Sequence, residues 1–116
     1  SGVVLMHAYM NDEALKKTIA TKEAHYYSRS RKCLWHKGAT SGLMQDVKNI
    51  YIDDDQDCVW LNVIVRGEAS CHVGYKSCFY REIDINSKQL EHKFIEDEKI
   101  FDPDEVYGDA PNPTIL

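Results

Sequence analysis

No apolar run in this sequence is longer than a strand. The longest are of the kind of Val3 to Met6 and Val63 to Val65, and a membrane-crossing helix needs about 20 apolar residues in a row. With a mean hydropathy of −0.49, no span is expected and no membrane partner is assigned. Positive charge is also scarce: 14 Lys and Arg stand against 19 Asp and Glu, leaving a formal charge of −5. A surface with so few cations cannot neutralise a run of nucleic-acid phosphates, so nucleic acid is excluded as a general partner and any phosphate site must be a local basic cluster. No secretory signal opens the chain, so the four cysteines, Cys33, Cys58, Cys71 and Cys78, are read as reduced thiols in the cytoplasm and not as a disulfide scaffold. An initiator Met is lacking before Ser1-Gly2, and the chain enters Val3-Val4-Leu5-Met6 as if midway along a strand, so a missing leader is expected. The ending at Leu116 suggests that no further enzyme follows.

What remains is enough for one domain over residues 1–116, with 101–116 an extended, proline-punctuated tail. Asn11 is a suitable N-cap, Asp12 and Glu13 complement the positive end of a helix, and Ala14, Leu15 and Ile19 make an apolar stripe. Together they predict a helix over 12–21. Residues 24–31 read as a strand whose exit carries Arg29 and Arg31, residues 47–52 and 59–65 as two more, and residues 79–83 as another. The expected fold is α+β, strand-dominated with one clear N-terminal helix.

Three segments carry chemistry. In Cys71-His72-Val73-Gly74-Tyr75-Lys76-Ser77-Cys78 a glycine able to take a positive φ separates two thiols, so both sulfurs could meet one ion. Thiolates suit zinc, which lowers the pKa of a coordinated water to about 7. His72 is then a candidate proton handler. The plainer reading, two small buried hydrophobes or a disulfide, is equally compatible with the pair alone.

In Asp53-Asp54-Asp55-Gln56-Asp57 the carboxylates at 53, 55 and 57 share a face if the backbone is extended, yet neighbours on a flat strand lie roughly 6 to 7 Å apart. A shared Mg²⁺ therefore requires a bend, and without one the run is a solvated acidic turn. It is not an EF-hand loop, since Cys58 stands where Gly is required and Ile64 where a bidentate Glu belongs.

The third segment gathers Arg29, Arg31 and Lys37 with Thr40, Ser41 and Gly42. Guanidinium forks, hydroxyls and exposed backbone N–H groups can hold phosphate, and Trp35 could stack on a base. An exposed strand face and a core tryptophan are the plain alternatives. No Walker loop is present. Zinc nucleobase deaminases are set aside, because none of the five histidines has Glu two residues on and Cys71 and Cys78 are too far apart.

The blocks from Val4 to Asn11, Tyr27 to Arg31, Leu34 to Gly42, Asp53 to Asp57 and Cys71 to Phe79 occur in an order and spacing that resembles the phosphoribosyl-AMP cyclohydrolase family. The resemblance covers residue 3 to about residue 82. It implies an intertwined homodimer of the family's fold that opens the adenine ring of 1-(5-phosphoribosyl)-AMP by hydrolysing the N1–C6 bond with zinc-activated water, a step of L-histidine biosynthesis. By position, it implies Cys71 and Cys78 as zinc ligands, Asp53, Asp55 and Asp57 as magnesium ligands, His72 as the proton handler, and Arg29, Arg31, Trp35, Lys37, Thr40, Ser41 and Gly42 as substrate contacts. The family usually carries a zinc-binding Cys where this chain has Asp54. Three explanations compete: Asp54 is the third zinc ligand, supplied from the partner chain; Cys58 has taken over; or zinc is weak and the chain is an impaired nucleotide- or metal-binding relative. Asp54 is the preferred ligand, since it leaves the strand on the side opposite Asp53, Asp55 and Asp57. Cys58 would share that side if no bulge intervenes.

Overall fold

The computed structural model describes residues 2–67 and 74–95. Their elements are α1 (Asp12–Thr21), β1 (His25–Ser28), β2 (Cys33–His36), β3 (Gln45–Ile52), β4 (Val59–Val65), β5 (Arg81–Ile83) and β6 (His92–Phe94). The described chain is thus strand-rich with one helix. The strands pair as three antiparallel hairpins, β1–β2, β3–β4 and β5–β6. Residues 8–67 make one compact unit; residues 2–7 and 74–95 belong to another. No helix among the described residues is long and apolar enough to cross a membrane.

In the unit of residues 8–67, α1 begins where the sequence places it, because Asn11 Oδ1 accepts the N–H of Ala14 at 2.8 Å. It ends at Lys22, whose left-handed φ of 60° returns its N–H to Thr18 O. The buried stripe is Ala14 and Thr18, whereas Ile19 is 60% exposed, so the expected stripe is rotated towards the smaller residues. Small side chains let α1 lie close on β1–β2, and the Thr18 hydroxyl accepts the N–H of His25 at 2.9 Å while donating to Ala14 O. The strand expected over 24–31 stops at Ser28. Residues 29–32 turn, with Lys32 at φ 52°, and the chain returns as β2, a strand the sequence did not announce.

Residues 22–24 join the two hairpins. Val47 N–H donates to Lys22 O, Ala24 N–H donates to Gln45 O, and Lys37 N–H donates to Ala24 O. The β3–β4 hairpin has a bulge between Val47 and Asn49. That one-residue slip brings Ile50, three positions after Val47, onto the same face. Val47, Ile50 and Ile52 then line up with their partners Val63, Leu61 and Val59. The opposite face carries Tyr51 beside Trp60, and Ile64; these three are each more than half exposed.

The anchor at the open end of this hairpin is Arg66. Its Nε and one terminal nitrogen bond both oxygens of Asp46, at 2.9 and 2.6 Å, and the same terminal nitrogen reaches Glu23 Oε2 at 3.0 Å. The guanidinium holds the Asp46 carboxyl below the usual carboxylate range. A depressed carboxyl contributes stability above its unfolded pKa of about 3.9, and the contribution is lost as pH falls through the folded value. Asp46→Asn should therefore melt below the wild type at neutral pH, with the gap constant down to about pH 5 and closing as acid titrates Asp46. Thermal unfolding across pH checks this, and a gap undiminished at pH 2 would refute it.

In the other unit, Tyr75 and Tyr80 stack at 4.1 Å between centroids, and Phe94 lies 5.7 Å from Tyr80. Cys78 packs against the two tyrosines. Val3 to Met6 forms no strand; its carbonyls serve instead as acceptors, Val4 O for the Ser77 hydroxyl at 2.8 Å and Leu5 O for Cys78 N–H at 2.7 Å. The strand expected over 79–83 begins only at Arg81: Tyr80 O still accepts Ile95 N–H in register with β6, but Phe79 N–H is taken by Ser77 Oγ. The expected tail, 101–116, lies outside the described residues.

Candidate functional site

The acidic run sits at the tip of β3–β4, and the bend required for shared coordination is present. Asp53 N–H donates to Cys58 O, Gln56 N–H donates to Asp53 O, and Gln56 adopts φ 62°. This turn gathers Asp53, Asp55 and Asp57 so that their ligand atoms all lie within 4.8 Å of one another, all exposed. Such oxygens, hard and negatively charged, fit Mg²⁺ or Ca²⁺. Asp55 is held below the usual carboxylate range, chiefly by hydrogen bonding with Asp53, then by its own backbone N–H and by Asp57. Because residues 53–58 form a loop, strand alternation no longer applies to them. The argument that would put Cys58 on the side of Asp54, and Asp54 opposite the other three, loses its basis. Cys58 is exposed, with its thiol 3.9 Å from Val59 O.

Of the thiol segment, Cys71 and His72 lie outside the described residues. Gly74 takes φ 107°, the positive value expected of the turn between the thiols. Cys78 is half-buried, whereas Cys33 and Cys58 are exposed.

The basic segment is built on the β1–β2 hairpin and the loop after it. Arg29 lies over the ring of Tyr9, with Cζ 3.7 Å from the centroid. Arg31 bonds Ser28 Oγ through its backbone N–H and Nε, both at 3.3 Å, and lies 5.9 Å from the Trp35 ring. Lys37 Nζ is 5.5 Å from the same ring; this side chain is only 2% exposed, less open than a surface phosphate contact would be. Trp35 is half-buried, 5.5 Å from its cross-strand partner Tyr26, so it serves as packing and as a shelf for cations together. In the loop, Gly42 N–H donates to Gly38 O and Ser41 Oγ accepts Leu43 N–H, while Thr40 is exposed. Gly38, at φ 90°, runs so close to Met44 that any Cβ would collide with the Met44 backbone. Only glycine fits there.

Beside this loop stands a group the sequence did not reveal. Glu23 Oε1 accepts from His36 Nε2 at 3.0 Å while its Oε2 takes Arg66, so one carboxylate ties β2 to the end of β4. His36 stacks on His25 at 4.3 Å and 6°, and His25 Nδ1–H donates to Glu23 O at 2.8 Å, which leaves Nε2 as the basic nitrogen of the neutral ring. Both histidines thus have ordinary hydrogen-bonded roles. Tyr9 beneath Arg29 was equally hidden, since 20 residues separate the two and only a strand-like bridge from Tyr9 to Tyr27 brings them together.

A family model for phosphoribosyl-AMP cyclohydrolase matches residues 6–80. Among curated proteins, the chain is 56% identical over 109 residues to a phosphoribosyl-AMP cyclohydrolase of Rhodopseudomonas palustris strain HaA2, covering 93% of this chain and 74% of that protein. It is 52% identical over 107 residues to the one from Bradyrhizobium diazoefficiens, covering 92% and 76%. With the protein of the same name from Rhizobium rhizogenes it shares 51% over 107 residues, covering 91% and 72%. The match takes in the β1–β2 cations, the acidic tip and both cysteines of the thiol segment, and on this ground the chain belongs to the phosphoribosyl-AMP cyclohydrolase family.

Proposed function

We propose that this chain is a cyclic-amidine hydrolase that opens the adenine ring of 1-(5-phosphoribosyl)-AMP within L-histidine biosynthesis. The observation that carries the reading is the match over residues 6–80, which spans every segment given a chemical role above. In the reaction, water adds to C6, the N1–C6 bond breaks, C6 becomes a carboxamide and N1 takes a proton. His72 is the residue to move that proton, since imidazole titrates near neutrality. Arg29, Arg31 and the Thr40-Ser41-Gly42 loop bind the two phosphates and sugars, the buried Lys37 standing against Trp35 instead, and Trp35 offers a flat surface to the base. Zinc held by Cys71, Cys78 and Asp54 would supply Lewis-acid activation of the attacking water. Magnesium would be held by Asp53, Asp55 and Asp57, whose mutual approach within 4.8 Å suits a hard cation, and would offset phosphate charge.

The protein works as a cytoplasmic homodimer. In support, β3–β4 presents apolar side chains on both faces, and a two-stranded ribbon is barely stable in water unless something covers it. A second copy supplies the cover and brings Asp54 to its partner's thiols.

The test is an assay of purified protein with phosphoribosyl-AMP, with and without chelator, alongside zinc quantification. Ring opening abolished by chelator and restored by zinc is expected. Absence of turnover with both metals supplied would leave the second reading, favoured by Asp54 standing at the family's Cys position: an impaired binding relative. Asp54→Ala should lose zinc and Cys58→Ala should keep it, and full zinc occupancy in Asp54→Ala would remove Asp54 from the ligand set.

A further inference from the structure

We infer that Tyr9 is a positioning residue: its ring holds the Arg29 guanidinium flat, so that the donor edge of Arg29 meets a phosphate of the substrate. This rests on the proposed role of Arg29 as a phosphate contact. At 3.7 Å, Arg29 over Tyr9 is the shortest of the described cation–ring contacts, the others falling between 5.1 and 5.9 Å. The backbone explains it. Tyr9 O accepts Tyr27 N–H at 2.6 Å, so Tyr9 lies beside β1 as a partner of Tyr27. Arg29, two residues beyond Tyr27, is then the diagonal neighbour across the pair, within reach of an aromatic side chain.

Of the three arginines in this unit, Arg66 and Arg29 are used differently. Arg66 spends its donors on Asp46 and Glu23. Among the described residues, no carboxylate lies within ion-pairing distance of Arg29. Stacking uses the face of a guanidinium and leaves the N–H donors in its plane, which is the geometry for gripping an oxoanion with two parallel bonds. A free arginine would have to lose its rotamer freedom on binding; a stacked one has lost much of it beforehand. Lys at 29 keeps the charge and loses both the flat stack and the fork.

The experiment compares full-length Tyr9→Leu, Tyr9→Phe, Arg29→Lys and Arg29→Ala. Tyr9→Leu is expected to raise KM for phosphoribosyl-AMP about three- to fivefold, as for an exposed cation–ring contact, with kcat and melting temperature little changed. Tyr9→Phe, which keeps the ring, restores KM, and Arg29→Lys resembles Tyr9→Leu. In parallel, inorganic phosphate titrated against the Arg29 Nε–H NMR resonance should shift it in the wild type and Tyr9→Phe, and less in Tyr9→Leu. If Arg29→Ala raises KM and Tyr9→Leu does not, the inference fails and the function stands. Equal loss in Phe and Leu would place the effect on the hydroxyl and overturn it too. If the wild type shows no turnover at all, the proposed function fails, and the phosphate titration decides the inference by itself: a wild-type shift weakened in Tyr9→Leu upholds it, and no shift overturns it.

Discussion

Cys78→Ser should strip zinc from the protein and lower kcat/KM by at least about a thousandfold, since a hydroxyl is a far poorer zinc ligand than a thiolate and roughly 4 kcal/mol of barrier lowering would go with the metal. The loss would be chemical and not structural. Cys78 is half-buried against Tyr75 and Tyr80, its backbone N–H is bonded to Leu5 O, and serine has nearly its shape. The melting temperature of the metal-free protein should therefore move little, while that of the zinc-loaded wild type should exceed it by the linkage that any ligand specific to the native state provides. Elemental analysis and turnover on the same sample check the outcome. Full zinc and undiminished turnover in Cys78→Ser would end the assignment of this thiol.

The second large effect is expected at the hairpin tip. Asp55→Asn keeps size and polarity but removes one of the three charges, and the Mg²⁺ concentration for half-maximal activity should rise about a hundredfold, because affinity for a hard cation follows the count of charged oxygens. Zinc content should be unchanged, which separates the two metals. Lys48→Gln, on β3 at the bulge and away from the acidic tip, serves as a control for charge changes in the same hairpin. Titration of Mg²⁺ against initial rate reads the shift, and equal Mg²⁺ dependence in Asp55→Asn and wild type would remove Asp55 from the ligand set.

The extent of helix α1 was legible, because the cap and the first-turn acids mark its start, but its buried face was not, since Thr18 and not Ile19 turns inward with Ala14. Strand β4 was legible for the same kind of reason: Val59, Leu61, Val63 and Val65 alternate with Trp60, Asn62 and Ile64. Cys33–His36 and His92–Phe94 were not, since strands this short are defined by the partner they pair with and not by their own residues. Val3–Met6 shows the converse: strand-forming residues with no strand, their carbonyls taken by Ser77 and Cys78. For the site, the residue types could be read and the geometry could not. Three aspartates at alternate positions could share a cation only if the backbone bends, and the left-handed Gln56 that folds them together is invisible in a sequence where no glycine marks the turn. The Glu23 fork joins residues 13 and 43 positions apart, a distance over which local pattern carries no information.

The closeness of the three carboxylates decides what can neutralise them. At physiological ionic strength the ionic atmosphere decays over about 8 Å, whereas these oxygens lie within 4.8 Å, well inside that reach. Sodium or potassium in bulk solution therefore screens their mutual repulsion only in part, and protonation or an ion lodged among them relieves it more completely. At neutral pH the divalent cation proposed above would therefore relieve the end of this ribbon more fully than ordinary salt does.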